Sequence, residues 1–432
     1  MERPSNEQAQ GDDVVNICLY CAIPEEDEFK GQHYGIRERC KGTIRNALNA
    51  IFTVLSGRLN YDVYSYRVAN GLGDNSNRGD MAIRVALRSQ LRAAFAPRKV
   101  RFTEAKWGDL GDKVAAINSD TSLFVIAGGG YISIDSEGSP WAMLANSRIL
   151  EKLECPIVAC GIGLNRLMNR QLSDISELPE ETRDSIHRLS KSCRALGVRD
   201  LDTVQLFAAH GQKPAVLIGD PVLYFDSDAP SPDRESGPIR IGINLASHGR
   251  RTYSMLKHAL PSVIDILRWV QKNKDVQFVY MVHHDFEKPI ARYLRRKGLA
   301  LQIIDLPAPK LIEAYKNLDF VINQMLHSCI FAANAGVPFL NMAYDRKCLA
   351  FCALLDVPEC GFAHDRVSFD LLKTRFDHLF ENRSALSEKI RERRAMLRSQ
   401  NRTFLKDVVR LVAEKEHVWA SSGIVLADDS VM

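Results

Sequence analysis

The chain has 432 residues, 46% of them hydrophobic and 25% charged, with 57 Lys and Arg against 53 Asp and Glu for a net charge of +4. At about 100–200 residues per domain, this length predicts two or three domains with cores large enough to fold without disulfides or metals, and the composition excludes collagen-like, coiled-coil and disordered classes. So small a positive surplus argues against a nucleic-acid partner, which calls for a strongly basic domain or stripe; an anionic ligand must be held by a local site.

The amino-terminal run MERPSNEQAQGDD is polar, with no apolar signal-peptide core. No stretch reaches the ~18 consecutive apolar residues of a membrane span. Both features predict a cytoplasmic protein without an integral membrane segment. VVNICLYCAI (14–23) reads as a strand. Its Cys18 and Cys21 are three residues apart and so face opposite sides, which argues against a shared metal or a redox bridge. Most of the ten cysteines sit in apolar segments, Cys160 and Cys352 among them, and read as buried free thiols. A helix-like stretch over 40–57 and a strand over 61–69 follow.

Asn75-Ser-Asn77-Arg-Gly79-Asp80 leads into a helix whose face carries Ile83, Leu87, Leu91 and Phe95 at a spacing of four. Asp80 fits the helix N-cap, accepting a backbone amide; the functional alternative has Asn77 and Asp80 lining a cleft and binding hydroxyls. The strand SLFVIA ends in Gly128-Gly129-Gly130, which is either a tight turn or a place where backbone amides approach a ligand; it matches neither the dinucleotide fingerprint nor the P-loop. Short buried-type strands recur at 155–163, 195–200 and 214–221, each beside a helical stretch, which predicts a mostly parallel sheet covered on both faces. Arg199 ends one of them, where its planar fork suits a carboxylate or phosphate; the bland alternative is an ion pair with Asp200 or Asp202.

The segment 226–238 carries three prolines and one apolar residue, Ala229, and reads as an interdomain linker. It divides the chain into an expected amino-terminal domain over 12–228, on the acceptor side, and a carboxyl-terminal domain over 238–420, on the donor side. Strand–helix alternation then restarts, giving two similar α/β halves that face each other across a cleft. Ligands of open parallel sheets bind beyond the strands' carboxyl ends, so residues there carry the argument. His283-His284-Asp285 ends a strand without a further ligand at metal spacing and is expected to line the cleft, with no metal. DFVINQ runs into Met325-Leu326-His327, and SCIFAANAG reads as a helix closed by Gly336. His327 then sits at a helix amino terminus, where free amides favour an anion and a histidine can exchange a proton near neutral pH; a buried structural histidine is the alternative. Tyr344-Asp345-Arg346-Lys347 follows the next strand and brings Lys347 near His327.

The ordered set of these pieces resembles the polysaccharide pyruvyl transferase family over roughly residues 60–360: Asn77-x-Gly79-Asp80, Gly128-Gly129-Gly130, PIVACGIGL, GVRDLDTVQLFAAHG with IGDPVL, and LHSCIFAANAGVP followed by Tyr344-Asp-Arg-Lys347. The resemblance implies a fold similar to GT-B glycosyltransferases, α/β with two Rossmann-like domains facing a cleft. It also implies transfer of pyruvate from phosphoenolpyruvate onto two hydroxyls of a sugar to form a cyclic ketal, with no cofactor beyond the donor. It makes Arg199 the Val-Arg-Asp arginine, His327 the essential histidine and Lys347 the downstream lysine. Many members have Arg-Leu-His where this chain has Met325-Leu326-His327, and that arginine is expected to help hold the donor; Arg346, Arg250 or Arg251 are candidates to replace it.

The resulting expectation is a transferase acting on a bacterial-type glycan or its lipid- or nucleotide-linked precursor. His327 and Asp80 are its expected catalytic residues. Arg199, Lys347, Asn77, Gly128, Gly129, Gly130 and Ser328 are its expected substrate-binding residues. The alternatives are a GT-B glycosyltransferase using a nucleotide sugar and a noncatalytic glycan-binding relative.

Overall fold

The computed structural model describes residues 14–25, 77–135, 138–165, 178–226, 237–245 and 249–421. The helix expected at 40–57, the strand expected at 61–69 and residues 227–236 of the linker lie outside them.

The apolar runs of the first half form one sheet: β1 (Val14–Tyr20), β2 (Lys99–Ala105), β3 (Leu123–Ile134), β5 (Ile157–Asn165), β6 (Cys193–Val198) and β7 (Val216–Leu217), in the spatial order β2-β1-β3-β5-β6-β7 and all parallel, with the two-residue β4 (Pro140–Trp141) antiparallel on β3. The central strands β3 and β5 are buried almost throughout, as expected where both faces are covered, whereas β2 at the edge alternates exposed and half-buried positions. Helices α1 (Arg78–Phe95), α2 (Leu110–Asp120), α3 (Glu180–Ser192) and α4 (Leu201–His210) connect the strands. Cys18 and Cys21 do face opposite cores of this sheet.

The glycine triplet departs from the sequence reading. Gly128-Gly129-Gly130 does not end the strand but lies inside β3, which runs on to Ile134 past a register shift between Gly129 and Ile132. Gly128 and Gly129 adopt φ of 48° and 71°, which only glycine takes without strain, and the resulting bulge turns the strand's edge toward the first turn of α1. Bulges of this kind depend on pairing with a distant strand, so local sequence does not reveal them.

The second sheet contains β8 (Ile239–Asn244), β9 (Val276–Met281), β10 (Leu301–Ile304), β11 (Phe320–Asn323), β12 (Phe339–Ala343) and β13 (Gly361–Ala363), parallel in the order β10-β9-β8-β11-β12-β13. Read from β8, this is the 3-2-1-4-5-6 order of the doubly wound fold, which puts its switch point between β8 and β11. Its helices are α5 (Gly249–Asn273), α6 (Lys288–Arg296), α7 (Ala308–Tyr315), α8 (Leu326–Ala335), α9 (Arg346–Leu354), α10 (Phe369–Glu381) and α11 (Arg383–Ser421). Gly336 closes α8 in the left-handed region at φ 71°, the usual C-terminal glycine signal.

The architecture is α/β, two Rossmann-like units with a cleft between them. One continuous apolar core joins the α1 face of the first sheet to the second unit. The 39-residue α11 leaves the second unit and packs back on α1, β6 and β7 of the first. Asn401 of α11 donates to Gln90 of α1 at 2.9 Å, and Asn334 of α8 donates to the carbonyls of Val222 at 2.9 Å and Phe225 at 3.0 Å. Among the described residues no helix is long and apolar enough to cross a membrane.

Candidate functional site

Between the carboxyl ends of the two sheets lies a cavity of about 850 Å³. The first unit lines it with Asn77, Asp80, the glycine triplet, Asn165 and Arg199. The second contributes His284, Met325, His327, Tyr344, Asp345 and Lys347. A hollow of about 760 Å³ at the other end of the first sheet, around Glu151 and Lys213, collects none of the expected residues.

The start of α1 corrects one expectation. Asn77, not Asp80, is the N-cap: its Oδ1 accepts from the amides of Gly79 at 3.1 Å and Asp80 at 3.3 Å. A cap must precede the first helical residue to reach those amides, and Asp80 is the third residue of the helix. Its carboxylate is therefore spared from capping and faces the cavity, taking a hydrogen bond from Asn77 Nδ2.

His327, the second residue of α8, places Nε2 3.9 Å from Asp80 Oδ1. The ring reaches that position only because residue 79 has no side chain: a Cβ on Gly79 would stand 1.9 Å from His327 Nδ1. The cap residue of α8, Met325, offers no side-chain hydrogen bond, so the first amides of this helix remain available to an anion.

Arg199 leaves the end of β6 with only 2% of its surface exposed. Its Nε donates to Asp200 at 3.3 Å and its Nη2 to the Leu164 carbonyl at 3.4 Å. Gly163 makes room for the guanidinium, since a Cβ there would stand 2.5 Å from Nη2. Asp200 also caps α4, accepting from the Thr203 amide at 2.9 Å. Asp202, the other proposed partner, pairs instead with Arg346 at 2.6 Å. Lys347 reaches across the cleft and donates to Asn165 Oδ1 at 2.8 Å, and its ammonium lies 5.4 Å from the centre of the Tyr344 ring.

Burial and charge tune the facing pair in opposite directions. Burial pushes the Asp80 carboxyl up to about 6; the Lys347 and Arg199 cations and the Asn77 hydrogen bond resist the rise, while the Asp220 carboxylate adds to it. Burial pushes His327 down to about 3, and Lys347 and Arg199 reinforce the shift. At neutral pH the site thus holds two cations, a neutral imidazole and a carboxylate close to its titration point. Such a site is complementary to an anion, whose charge would offset the share of the histidine's downward shift that comes from the two cations.

Several expectations do not hold. Ser328 does not line the cavity: it is fully buried, with Oγ 2.8 Å from Tyr315 Oη and accepting from Asn323 at 3.1 Å. One step along a helix rotates a side chain about 100°, which carries Ser328 away from the face of His327. Of His283-His284-Asp285, only His284 reaches the cavity. His283 is buried with Nε2 2.7 Å from Tyr315 Oη, and Asp285 pairs with Arg78 and Lys288 at 3.0 Å each. Met325 faces the cavity, but Arg346 lies outside it in the pair with Asp202; the side chains of Arg250 and Arg251 are outside the described residues. Among the described residues no cluster of three potential metal ligands occurs. The sequence reading missed Asn165, whose signal was its place at the end of β5, and Trp107 and Trp141 at the cavity wall.

A family model described as polysaccharide pyruvyl transferase matches residues 77–346, from the cap of α1 to the first residue of α9. No curated protein matches the chain. Among solved structures, the chain is similar to S. aureus MnaA with UDP, at 12% identity and a TM-score of 0.49 over 79% of this chain and 94% of that one. It is also similar to UDP-GlcNAc 2-epimerase from Neisseria meningitidis bound to UDP-GlcNAc, at 11% identity and a TM-score of 0.47 over 77% and 96%. A third is the trehalose 6-phosphate synthase of Burkholderia multivorans, at 11% identity and a TM-score of 0.44 over 80% and 79%.

Proposed function

The chain belongs to the polysaccharide pyruvyl transferase family, and on that premise we propose that it moves pyruvate from phosphoenolpyruvate onto two hydroxyls of a glycan or glycan precursor. Arg199, Lys347 and the free amides at the start of α8 receive the donor's carboxylate and phosphate. Their charge is in place before the reaction, so little reorganisation is needed as charge shifts. Asp80 and His327 handle the protons.

The chemistry balances with these groups alone. A proton goes to the methylene carbon of the enol, and a sugar hydroxyl adds to C2 as its proton leaves to a base. The C2–O bond to phosphate then breaks, and the second hydroxyl closes the ketal as its proton departs with the released phosphate. In the loaded site the donor's negative charge raises the affinity of His327 for a proton, which makes it the acid toward the methylene. Asp80, ionised above about 6, is the base toward the first hydroxyl.

The observation that carries this reading is the Asp80–His327 pair at 3.9 Å, in a cavity that also holds the Arg199 and Lys347 cations. The test is phosphate release from phosphoenolpyruvate against a panel of sugar diols, with the ketal read by mass and NMR. Phosphate release coupled to a ketal is expected; transfer from a nucleotide sugar and not from phosphoenolpyruvate would overturn the reading.

A further inference from the structure

Five large apolar side chains are exposed among the described residues: Trp107, Trp141, Leu201, Val216 and Met396. Of these only the two tryptophans line the cavity, at 55% and 63% exposure. Indole is normally drawn into a core by its large apolar area, so its display on the wall of a cavity that also holds charged side chains asks for an occupant.

The backbone holds both rings out. Trp107 follows the end of β2, and its carbonyl accepts from Asn146 Nδ2 at 2.6 Å; the same amide donates to Tyr20 Oη at 3.0 Å. Trp141 stands on β4, opposite Ser133 in the part of β3 beyond the glycine bulge. The next residue, Ala142, takes φ of 51°, a left-handed conformation that costs free energy in a residue with a Cβ and persists only where its surroundings impose it. The six residues from 141 to 146 thus carry one ring and tether the other.

Charge identifies the kind of ligand. The cavity-lining stretch from 133 to 143 contributes, among the described residues, Ser133, Ile134, Asp135, Trp141, Ala142 and Met143, of which the charged one, Asp135, is a carboxylate. That wall repels phosphate and offers oxygen acceptors beside flat aromatic faces, whereas the cations stand with Arg199 and Lys347. We infer that Trp107 and Trp141 form a stacking platform for a neutral pyranose ring of the acceptor, which packs the apolar C–H face of the sugar on indole and leaves its ring-edge hydroxyls directed at the Asp80–His327 pair. The inference rests on the transferase reading of this cavity and adds to it where the acceptor lies and what it is.

The probes are neutral di- to tetrasaccharides of galactose, glucose, mannose and N-acetylglucosamine, titrated calorimetrically into the full-length chain, with UDP as a stacking anion for contrast. At least one sugar is expected to bind. Trp107→Ala and Trp141→Ala should each weaken it roughly tenfold, the scale of one aromatic contact, and Trp→Phe at either position should keep it within about threefold. UDP affinity should not depend on either ring. Thermal midpoints measured on the same samples exclude unfolding as the cause. Unchanged sugar affinity in both alanine variants, no binding by any sugar of the panel, or UDP binding lost with the tryptophans would each overturn the platform. Sugar binding through the rings without phosphate release from phosphoenolpyruvate would sink the donor assignment alone, and ketal formation indifferent to both rings would sink the platform alone.

Discussion

His327 and Asp80 lie within 3.9 Å of each other with proton affinities shifted in opposite senses, and each shift has a measurable consequence. If His327 delivers the proton, His327→Gln should lower kcat roughly 10²–10⁴-fold, the usual share of a general acid or base, because an amide retains a hydrogen bond but does not titrate near neutral pH and so cannot hand over a proton at a useful rate. Turnover and thermal midpoint measured on one preparation separate this from a packing role: near-normal kcat would reduce the histidine to a positioning group. Asp80 is protonated below about 6, so kcat/KM for the donor should fall as pH drops through that value, and Asp80→Asn should abolish that limb along with most of the rate. The sign for stability is the reverse. The folded chain binds this proton more tightly than the unfolded one, so between the ordinary carboxyl value and about 6 stability falls as pH rises. Asp80→Asn should therefore raise the thermal midpoint relative to the parent at pH 7 and leave it close to the parent at pH 4; a difference that does not grow with pH would contradict the burial that causes the shift.

At the scale of elements, the parts legible in the sequence are those set by local pattern. Buried parallel strands are apolar runs, and α4 and α8 end on glycines visible in the chain. What escaped depends on rotation or on distant pairing. Asp80 fits the cap by residue type, but Asn77 three positions earlier holds the amides and leaves Asp80 to the cavity, the alternative that the sequence also allows. His283 and His284 point to opposite sides because the chain there is extended, and Ser328 is one helical step too far round from His327. The glycines that make space were visible as residues but not as to their purpose: Gly79 admits the His327 ring and Gly163 the Arg199 guanidinium. This permits a sharp test. Gly→Ala inside a helix ordinarily adds stability, about 1 kcal/mol by propensity, yet at position 79 the Cβ meets an imidazole contributed by the other unit. Gly79→Ala should keep α1, seen by circular dichroism, while lowering kcat by about as much as losing His327 does. Full turnover in that variant would mean that the ring has another productive position.

At the scale of the whole molecule, the two units also meet two residues before Asp80, one of the proposed catalytic pair. Arg78 opens α1 in the first unit, but its partners belong to the second. Its amide donates to the His283 carbonyl at 3.0 Å, its Nε to the Leu306 carbonyl at 2.9 Å, and its Nη2 pairs with Asp285 at 3.0 Å and Asp305 at 2.6 Å. Burial works against the Asp285 charge, but the hydrogen bonds from Lys288 and Arg78 outweigh it and hold the carboxyl below its usual range. Because Arg78 stands between Asn77 and Gly79, whatever fixes it to the second unit also fixes Asp80 relative to His327. Global stability does not depend on this clasp alone, since the shared core and α11 already join the units. Arg78→Ala should therefore cost little in thermal midpoint and much in rate, about 10–100-fold in kcat/KM, the scale on which small misplacements act. Arg78→Lys should recover only part, because an ammonium cannot reproduce the planar fork that holds a carbonyl and two carboxylates at once. The pairs are only partly shielded, with side-chain exposures of 12% for Arg78 and 33–37% for the two aspartates, so added salt should slow the parent more than Arg78→Ala, in which the clasp is already absent. Equal salt sensitivity in the two proteins, with unchanged kcat/KM in the variant, would show that the alignment of Asp80 and His327 is set by the core and not by this clasp.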